Sequence, residues 1–123
     1  MTTSYRPDCD YVDGALVDRN LGEYDHTNAQ AALCAHLCTH EPPGCKTLIS
    51  IRVKVALTRI RVPDLCVINT GRERIITKPP LVCIEVLARQ DTVETMQERI
   101  DDYLAFGVRT SGGHSSKFST TNK

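Results

Sequence analysis

Tryptophan is absent from this chain of 123 residues, and aromatic residues make up only 5% of it. A surface that stacks successive nucleic-acid bases on aromatic rings is therefore not expected. Net charge is also absent, because 15 lysine and arginine residues balance 15 aspartate and glutamate residues. This balance excludes a strongly basic nucleic-acid coat protein and a polybasic membrane binder, although it leaves a local basic patch open.

The chain also lacks any apolar run near the ~20 residues that cross a bilayer. The start, residues 1–6, is polar and has no signal-peptide core, so we expect a cytoplasmic protein. The length suits one domain. A content of 41% hydrophobic and 24% charged residues is typical of a soluble globular protein, which argues against disorder of the whole chain.

Six cysteines are present, and an even number in a short chain is compatible with three disulfides. The expected cytoplasmic location argues against them, because the cytosol keeps thiols reduced. Five cysteine and histidine residues lie close together in the sequence: Cys34, His36, Cys38, His40 and Cys45. On a helix the cysteine pair and the histidine pair would occupy faces roughly 200° apart. One tetrahedral zinc site is therefore disfavoured, and a small zinc-binding interaction module stays as an alternative.

The first part of the chain predicts a hairpin followed by a helix. Asp13-Gly14 separates two short apolar runs within residues 9–19, and this pattern favours a type I′ hairpin turn. Residues 25–40 show the periodicity of an amphipathic helix. The expected inner face of this helix consists of Ala29, Ala32, Leu33 and Leu37.

The middle of the chain alternates between apolar and polar residues, as half-buried strands do. Residues 48–57 predict one such strand. A short turn leads to a second strand at residues 60–69, and we expect the two to form an antiparallel hairpin. Residues 81–88 are apolar on both faces apart from Glu85, and this favours a central strand that is covered on both sides.

Residues 92–106 predict a second helix, with Asp91 or Thr92 as its N-cap and Gly107 as the residue that ends it. The expected inner stripe of this helix consists of Val93, Met96, Ile100 and Leu104. The order of hairpin, helix, three strands and helix is typical of an α+β fold with a mixed or antiparallel sheet.

The composition changes abruptly after residue 108. Residues 109–123 contain one large apolar residue and no periodicity, which predicts a disordered tail. We therefore expect one domain at residues 1–108, followed by that tail.

Two carboxylates lie within strongly apolar strand segments, Asp64 in the second predicted strand and Glu85 in the central one. Burying an ionised carboxylate without a partner is very costly, so each must be paired, protonated or bound to a cation. If the two strands are neighbours, both side chains can project from one face. Two converging carboxylates suit Mg²⁺, which can activate water for attack on a phosphodiester. An ion pair with a nearby arginine is the alternative for each acid.

Pro63-Asp64, followed by Glu85 on the next strongly apolar strand, resembles the order of the PD-(D/E)XK nucleases. More specifically, the chain resembles the Uma-two family of restriction endonuclease-like proteins. The stretches that carry this resemblance are residues 11–14, 22–26, 61–67, 79–87 and 96–108.

The resemblance implies a restriction endonuclease-like core of helix, three strands, helix and a last strand, preceded here by the hairpin. It implies that Asp64, Glu85 and the carbonyl oxygen of Val86 bind Mg²⁺, with Mn²⁺ as a substitute, and that DNA is the substrate. The lysine of the superfamily is replaced by Leu87, and the resemblance implies that Arg99 on the following helix takes a catalytic role. Its guanidinium can stabilise phosphate charge, although it cannot serve as a general base. A homodimer that cuts both strands is a further expectation from the resemblance.

Three residues near this set have simpler interpretations. For Arg99 the alternative is a solvent-side ion pair with Asp102. Glu23 matches a polar position of the family and is a candidate to support the metal through water, but an acid at a helix N-terminus is already favoured by the helix dipole. His26 matches a recurrent family histidine, and we expect a capping or packing residue there more than a ligand.

The resemblance ends at residue 108, where family members continue with a strand rich in Trp, Val and Asp. Ala88 also stands where the family has serine. These departures predict a member truncated at its C-terminus, whose last core strand is missing and whose sheet edge is unpaired. We therefore expect a Mg²⁺-dependent, restriction-like endonuclease that hydrolyses DNA phosphodiester bonds. The alternatives are an inactive truncated remnant of such a nuclease and the zinc-binding interaction module.

Overall fold

The structure is a computed structural model that describes residues 9–18 and 23–115. Its elements follow one another as β1 (Cys9–Val12), β2 (Ala15–Asp18), α1 (Tyr24–Thr39), β3 (Lys46–Ile49), β4 (Val53–Ala56), β5 (Arg59–Arg61), β6 (Leu65–Ile68), β7 (Val82–Leu87), α2 (Val93–Phe106) and β8 (Thr110–Ser115). The mixture of helices and mainly antiparallel strands confirms the predicted α+β class. Neither helix in the described ranges is long and apolar enough to cross a bilayer.

The strands form two four-stranded sheets. The N-terminal sheet has the order β2-β1-β5-β4 and is antiparallel throughout. The core sheet has the order β3-β6-β7-β8, and its pairs are antiparallel except for the parallel pair of β7 and β8. Strand β7 therefore lies inside the core sheet, as the apolar sequence of residues 81–88 predicts. Helix α1 packs against β3 and β7, and α2 contacts strands of both sheets.

The predicted hairpin at the start of the described chain is confirmed. Strands β1 and β2 pair antiparallel around Asp13-Gly14, whose φ angles of 51° and 94° are those of a type I′ turn. The side chain of Asp13 accepts hydrogen bonds from Thr58 and Arg59, which lie at the turn between β4 and β5. These two donors hold the pKa of the Asp13 carboxyl below its ordinary value. The turn residue therefore ties the hairpin to the rest of its sheet.

The prediction of one strand at residues 48–57 is wrong, because that stretch contributes to both sheets. Strand β3 belongs to the core sheet and β4 to the N-terminal sheet. The chain changes sheet at Ser50, which has a φ of 51°. The second predicted strand, residues 60–69, is divided in the same way into β5 and β6. Apolar alternation continues through both breaks because each half has its own buried face, so periodicity alone does not reveal the change of sheet.

The predicted inner faces of the two helices need correction. In α1 the buried residues are His26 and Ala29, whereas Ala32 is exposed. In α2 the side chain of Val93 is 80% exposed and that of Leu104 49%. The residues that α2 actually buries are Met96, Arg99 and Tyr103. Their spacing is helical, but a stripe chosen by hydrophobicity excludes arginine.

The ends of α2 agree with the sequence prediction. The Thr92 hydroxyl accepts a hydrogen bond from the backbone N–H of Thr95 at 3.1 Å and caps the first turn. Gly107 follows the last turn with a φ of 113°, and its N–H donates to the carbonyl oxygens of Tyr103 and Leu104. A left-handed glycine at this position is a common helix terminus.

The main hydrophobic core joins the two sheets through α2. Its buried members are Val53, Val55, Cys66, Ile68, Ile76, Cys83, Tyr103 and Val108. Cys66 and Cys83 are partners across β6 and β7, and both are fully buried, where thiols behave as small apolar groups. No disulfide joins any of the six cysteines, all of which lie within the described ranges.

The prediction that the last core strand is missing is wrong for residues 110–115. Strand β8 pairs in parallel with β7 from Val82–Thr110 to Leu87–Ser115. Ladder hydrogen bonds use backbone groups, so a polar segment with two glycines can pair although it carries no apolar signal. Residues 116–123 of the predicted tail lie outside the described residues, and the domain boundary at residue 108 stays a prediction.

A Cβ atom added to Gly107 would lie 3.2 Å from Cγ of Pro79. Gly107→Ala is expected to lower the free energy of unfolding by about 1–3 kcal/mol, because an L-residue is strained at this φ and must also displace the proline ring. Urea denaturation followed by circular dichroism measures the loss.

Gly71→Ala provides a matched control, because Gly71 has a φ of 95° and open space where its Cβ would lie. Its loss is expected to stay near ~1 kcal/mol, which is the backbone strain alone. The difference between the two variants then reports the contact with Pro79, and equal losses would contradict that contact.

Candidate metal and catalytic site

The strand register brings the two predicted carboxylates together. Leu65 of β6 pairs with Ile84 of β7, so the next pair outward places Asp64 opposite Glu85. Both side chains are nearly inaccessible, with relative exposures of 4% for Asp64 and 2% for Glu85. Two acids at such depth, side by side on neighbouring strands, require specific polar partners.

Asp64 receives its partners from β7 and α1. Its Oδ2 accepts a hydrogen bond from the backbone N–H of Val86 at 2.6 Å and lies 3.5 Å from Nε2 of His26. Its backbone oxygen accepts hydrogen bonds from the Gln30 side chain at 2.9 Å and from the Ser50 N–H at 3.3 Å. The residue is therefore fixed at both its backbone and its carboxylate.

Glu85 receives its partner from α2. The hydroxyl of Tyr103 donates a hydrogen bond to Oε2 of Glu85 at 2.5 Å. Burial raises the pKa of the Tyr103 phenol well above its ordinary value, and the neighbouring charge of Glu85 raises it further. The phenol therefore keeps its proton and acts as a donor that orients the glutamate carboxyl group.

Val86 follows Glu85 on β7, and its backbone N–H is directed toward Asp64. Because the N–H and C=O of one strand residue point to the same side of the strand, the Val86 carbonyl also lies on the Asp64 side of β7. Two carboxylates and a backbone carbonyl are hard oxygen donors, which is the ligand type that Mg²⁺ takes. The donor set predicted from the sequence therefore fits the ion by its chemistry.

A cavity of about 450 Å³ begins two residues beyond Glu85. Its lining consists of Leu87, Ala88, Arg89, Asp91, Thr92, Val93, Met96 and Gln97. Leu87 lies on the same face of β7 as Glu85, because side chains alternate along a strand. The cavity therefore adjoins the end of β7 beyond Glu85, and its lining includes apolar side chains and the cationic side chain of Arg89.

Arg99 occupies a buried ionic network rather than the solvent side of α2. Its Nε lies 3.6 Å from Oδ2 of Asp10 and its Nη1 lies 3.8 Å from Oδ1 of Asp91. The ion pairs of Arg61 and Arg99 join Asp10, Arg61, Asp91, Glu98, Arg99 and Asp102, and we call this set the arginine network. The alternative prediction of an Arg99–Asp102 pair is wrong, because Asp102 pairs with Arg59 and Arg61.

His26 lies beside Asp64, at a position where the sequence favoured a capping or packing residue. It is 7% exposed and approaches Asp64 from the first turn of α1. The sequence signal for a role in the site is its match to a recurrent histidine of the family. A lone histidine near a helix start is more often a capping or packing residue, and this led to the other expectation. Glu23 lies at the N-cap of α1, is exposed, and accepts a hydrogen bond from Gln90 at 3.3 Å. Its predicted water-mediated support of a metal stays a prediction.

Comparison with known proteins decides the family. A family model described as "Uma2: Putative restriction endonuclease" matches residues 4–111, which is most of the chain. The chain belongs to the Uma2 family. This membership confirms the resemblance inferred from the Pro63-Asp64 and Glu85 segments.

One solved structure shows that the Uma2 chain has a nuclease fold. It is a crystal structure described as "a putative nuclease belonging to DUF820" from Anabaena variabilis ATCC 29413. The TM-score is 0.77 at 16% sequence identity, and the match covers 89% of this chain and 66% of that chain. The chain therefore spans 66% of that protein's length. No curated protein matches the chain significantly. The family model shows the family, and the solved structure shows the fold.

The cysteine and histidine residues at positions 34–40 form two separate pairs on α1 of the Uma2 chain. The Sγ atoms of Cys34 and Cys38 lie 3.9 Å apart, and the rings of His36 and His40 stack with centroids 4.3 Å apart. Within residues 9–18 and 23–115, no group of three or more His, Cys, Asp or Glu side chains is arranged to hold a metal ion. The described geometry therefore offers no support for a zinc-binding module.

Tyr103→Phe is expected to lower the free energy of unfolding by about 1–3 kcal/mol, because it deprives the buried Glu85 carboxyl of a donor. Tyr24→Phe is the matched control, since Tyr24 is 83% exposed. Its effect should stay within about 0.5 kcal/mol. Chemical denaturation of both variants measures the difference, and indistinguishable stabilities would speak against the buried hydrogen bond.

Stability is expected to fall in alkaline solution because of the paired thiols. Burial raises the pKa of Cys66 from 9.0 to about 12, and burial also raises that of Cys83. Over this window the unfolded chain has released the thiol protons while the native chain retains them. The stability that these groups contribute is thus complete below pH 9 and is lost as pH rises toward 12.

Each thiol should contribute a slope of about −1.4 kcal/mol per pH unit to the free energy of unfolding. Urea denaturation between about pH 9 and pH 11 measures the slope. The double variant Cys66→Ala, Cys83→Ala should show a flatter dependence of the free energy of unfolding on pH. The contribution of Tyr103 to that dependence is the same in both proteins, so the difference reports the thiols. An identical slope in the native chain and the double variant would refute this account.

Proposed function

We propose that this chain is a Mg²⁺-dependent, restriction-like endonuclease that hydrolyses phosphodiester bonds of DNA. The observation that carries the proposal is the pair of buried acids, Asp64 and Glu85, opposite one another on neighbouring strands. The two carboxylates accept hydrogen bonds from a backbone N–H and a phenol, and a histidine lies beside Asp64. Membership of the Uma2 family supports a nuclease.

Asp64, Glu85 and the carbonyl oxygen of Val86 would hold the metal ion. Mg²⁺, or Mn²⁺ in its place, supplies a Lewis acid that polarises a phosphoryl oxygen and lowers the pKa of water. The role of the surrounding protein groups is to hold the two carboxylates at fixed orientations.

The hydrogen bonds from the protein restrain both carboxylates. The Val86 N–H engages Oδ2 of Asp64, and the Tyr103 hydroxyl engages Oε2 of Glu85. Each bond fixes the rotation of its carboxyl group before any ligand arrives, which lowers the reorganisation required for binding. His26 lies at 3.5 Å from the same Asp64 oxygen and adds a titratable group to the site.

Arg99 is proposed as the group that stabilises phosphate charge. It lies one helical turn before Tyr103 on the buried face of α2, about 6 Å along the helix axis. A guanidinium held in place by carboxylates of the protein can stabilise charge that develops on a phosphoryl group. The cationic side chain of Arg89 in the adjacent cavity is a second polar contact available to the DNA backbone.

The neutral charge of the chain limits how strongly it can hold DNA through phosphate contacts alone, so weak binding is expected. A homodimer that cuts both strands is the part of the proposal that follows from the family resemblance. A cytoplasmic location is a separate part of the proposal.

Cleavage of supercoiled plasmid DNA with Mg²⁺ or Mn²⁺ tests the activity, and EDTA should abolish it. Asp64→Asn and Glu85→Gln are each expected to lower the cleavage rate by about 100-fold or more, because a neutral amide binds a divalent cation poorly. Asp101→Asn is the control, since Asp101 is an exposed acid on α2. It should leave the rate unchanged.

The thermal unfolding temperature with and without Mn²⁺ gives a readout independent of cleavage. Mn²⁺ should raise it in the native chain and in Asp101→Asn, but not in Asp64→Asn. A cooperative transition that Mn²⁺ does not shift, together with no cleavage, would favour the alternative of an inactive remnant.

A further inference from the structure

We propose that Asp10 is a positioning residue, which holds both the Pro63-Asp64 segment and Arg99 in place for the reaction. The inference rests on the proposed nuclease function and deepens it. Asp10 lies on β1, far in sequence from both groups. It is 1% exposed, so its charge is as deeply buried as those of the predicted metal ligands.

The two oxygens of Asp10 serve different elements. Oδ1 accepts a hydrogen bond from the backbone N–H of Val62 at 3.0 Å. Oδ2 accepts one from Nη1 of Arg61 at 3.0 Å and lies 3.6 Å from Nε of Arg99. One carboxylate therefore connects β1 with the end of β5 and with the buried face of α2.

The contact with Val62 places Asp10 beside the segment that delivers Asp64. Val62 follows β5 directly and lies two residues before Asp64, where the chain leaves the N-terminal sheet for the core sheet. The intervening Pro63 has no N–H, so the Val62 N–H is the nearest upstream backbone donor that can fix this crossover. Its bond to Asp10 sets where the crossover begins and so where Asp64 is placed.

The contact with Arg99 is more sensitive to Asp10 than the contact with Arg61. Arg61 also pairs with Glu98 at 3.1 Å and Asp102 at 2.7 Å, so it keeps two carboxylates without Asp10. For Arg99, Asp10 is the closer of its two carboxylates, ahead of Asp91 at 3.8 Å. Loss of the Asp10 charge should therefore displace Arg99 first.

The charge of Asp10 is the last of the causes that raise the pKa of the Tyr103 phenol, after burial and Glu85. Arg99 also lines a cavity of about 250 Å³ between the hairpin and α2. Three further members of the arginine network, Arg61, Asp91 and Glu98, line the same cavity.

Asp10→Asn tests the proposal, because the amide keeps an oxygen for the Val62 N–H but loses the charge that faces Arg99. Asp102→Asn is the matched control, since it neutralises another carboxylate of the arginine network that contacts Arg59 and Arg61. We expect Asp10→Asn to lower kcat by about 10-fold or more with Mn²⁺-induced stabilisation retained. Asp102→Asn should change kcat by less than about twofold.

A double-mutant cycle with Arg99→Gln separates positioning from stability. If Asp10 acts through Arg99, adding Asp10→Asn to Arg99→Gln should cause no further loss of kcat. A kcat loss in Asp10→Asn that is additive to that of Arg99→Gln, or matched by Asp102→Asn, would overturn the inference and leave the proposed nuclease intact.

A readout without catalysis is the NMR signal of the Arg99 Nε–H group, assigned by its loss in Arg99→Gln. Asp10→Asn should shift and broaden this signal, whereas Asp102→Asn should leave it in place. An unchanged signal in Asp10→Asn overturns the positioning role. If the native chain neither cleaves DNA nor is stabilised by Mn²⁺, the proposed function itself is overturned. In that case Asp10 has no role in a reaction of this site.

Discussion

Burial of two carboxylates on neighbouring strands is the constraint on which the rest of the structure depends. Because each acid is buried, each requires hydrogen-bond donors from the protein. Strand β7 supplies the Val86 N–H for Asp64, and α2 supplies the Tyr103 hydroxyl for Glu85. Helix α1 contributes His26 and Gln30, and the hairpin contributes the acid that anchors the arginine network. Strand β7 and both helices therefore contribute groups that contact one pair of acids.

Much of the fold and the acid pair could be predicted from sequence because their signals are local. Asp13-Gly14, Thr92 and Gly107 act through the backbone of their own turns, and the structure has each where it was expected. The order Asp64 then Glu85 on successive apolar strands required only that the strands be neighbours. Family resemblance added the same two residues independently.

The rest could not be predicted because it depends on long-range contacts that periodicity does not encode. Alternation in residues 48–57 is unbroken although the chain changes sheet at Ser50. Arg99 is buried by acids that come partly from β1, so a hydrophobic stripe places the wrong face of α2 inside. Strand β8 is held by backbone pairing with β7, which leaves no mark on side-chain composition. His26 reaches Asp64 from a different element altogether.

The division of residues 46–68 between two sheets also shapes how the chain can acquire its structure. The pair of β4 and β5 is nested within the pair of β3 and β6, so both can close in order from a short central turn. Such local closure costs little loop entropy and is fast. Parallel pairing of β7 with β8 has to wait for the whole of α2 to be synthesised between them. During translation one side of β7 is therefore exposed as a bare edge until the last strand emerges, and this interval is when the nascent chain is most open to pairing with a foreign strand.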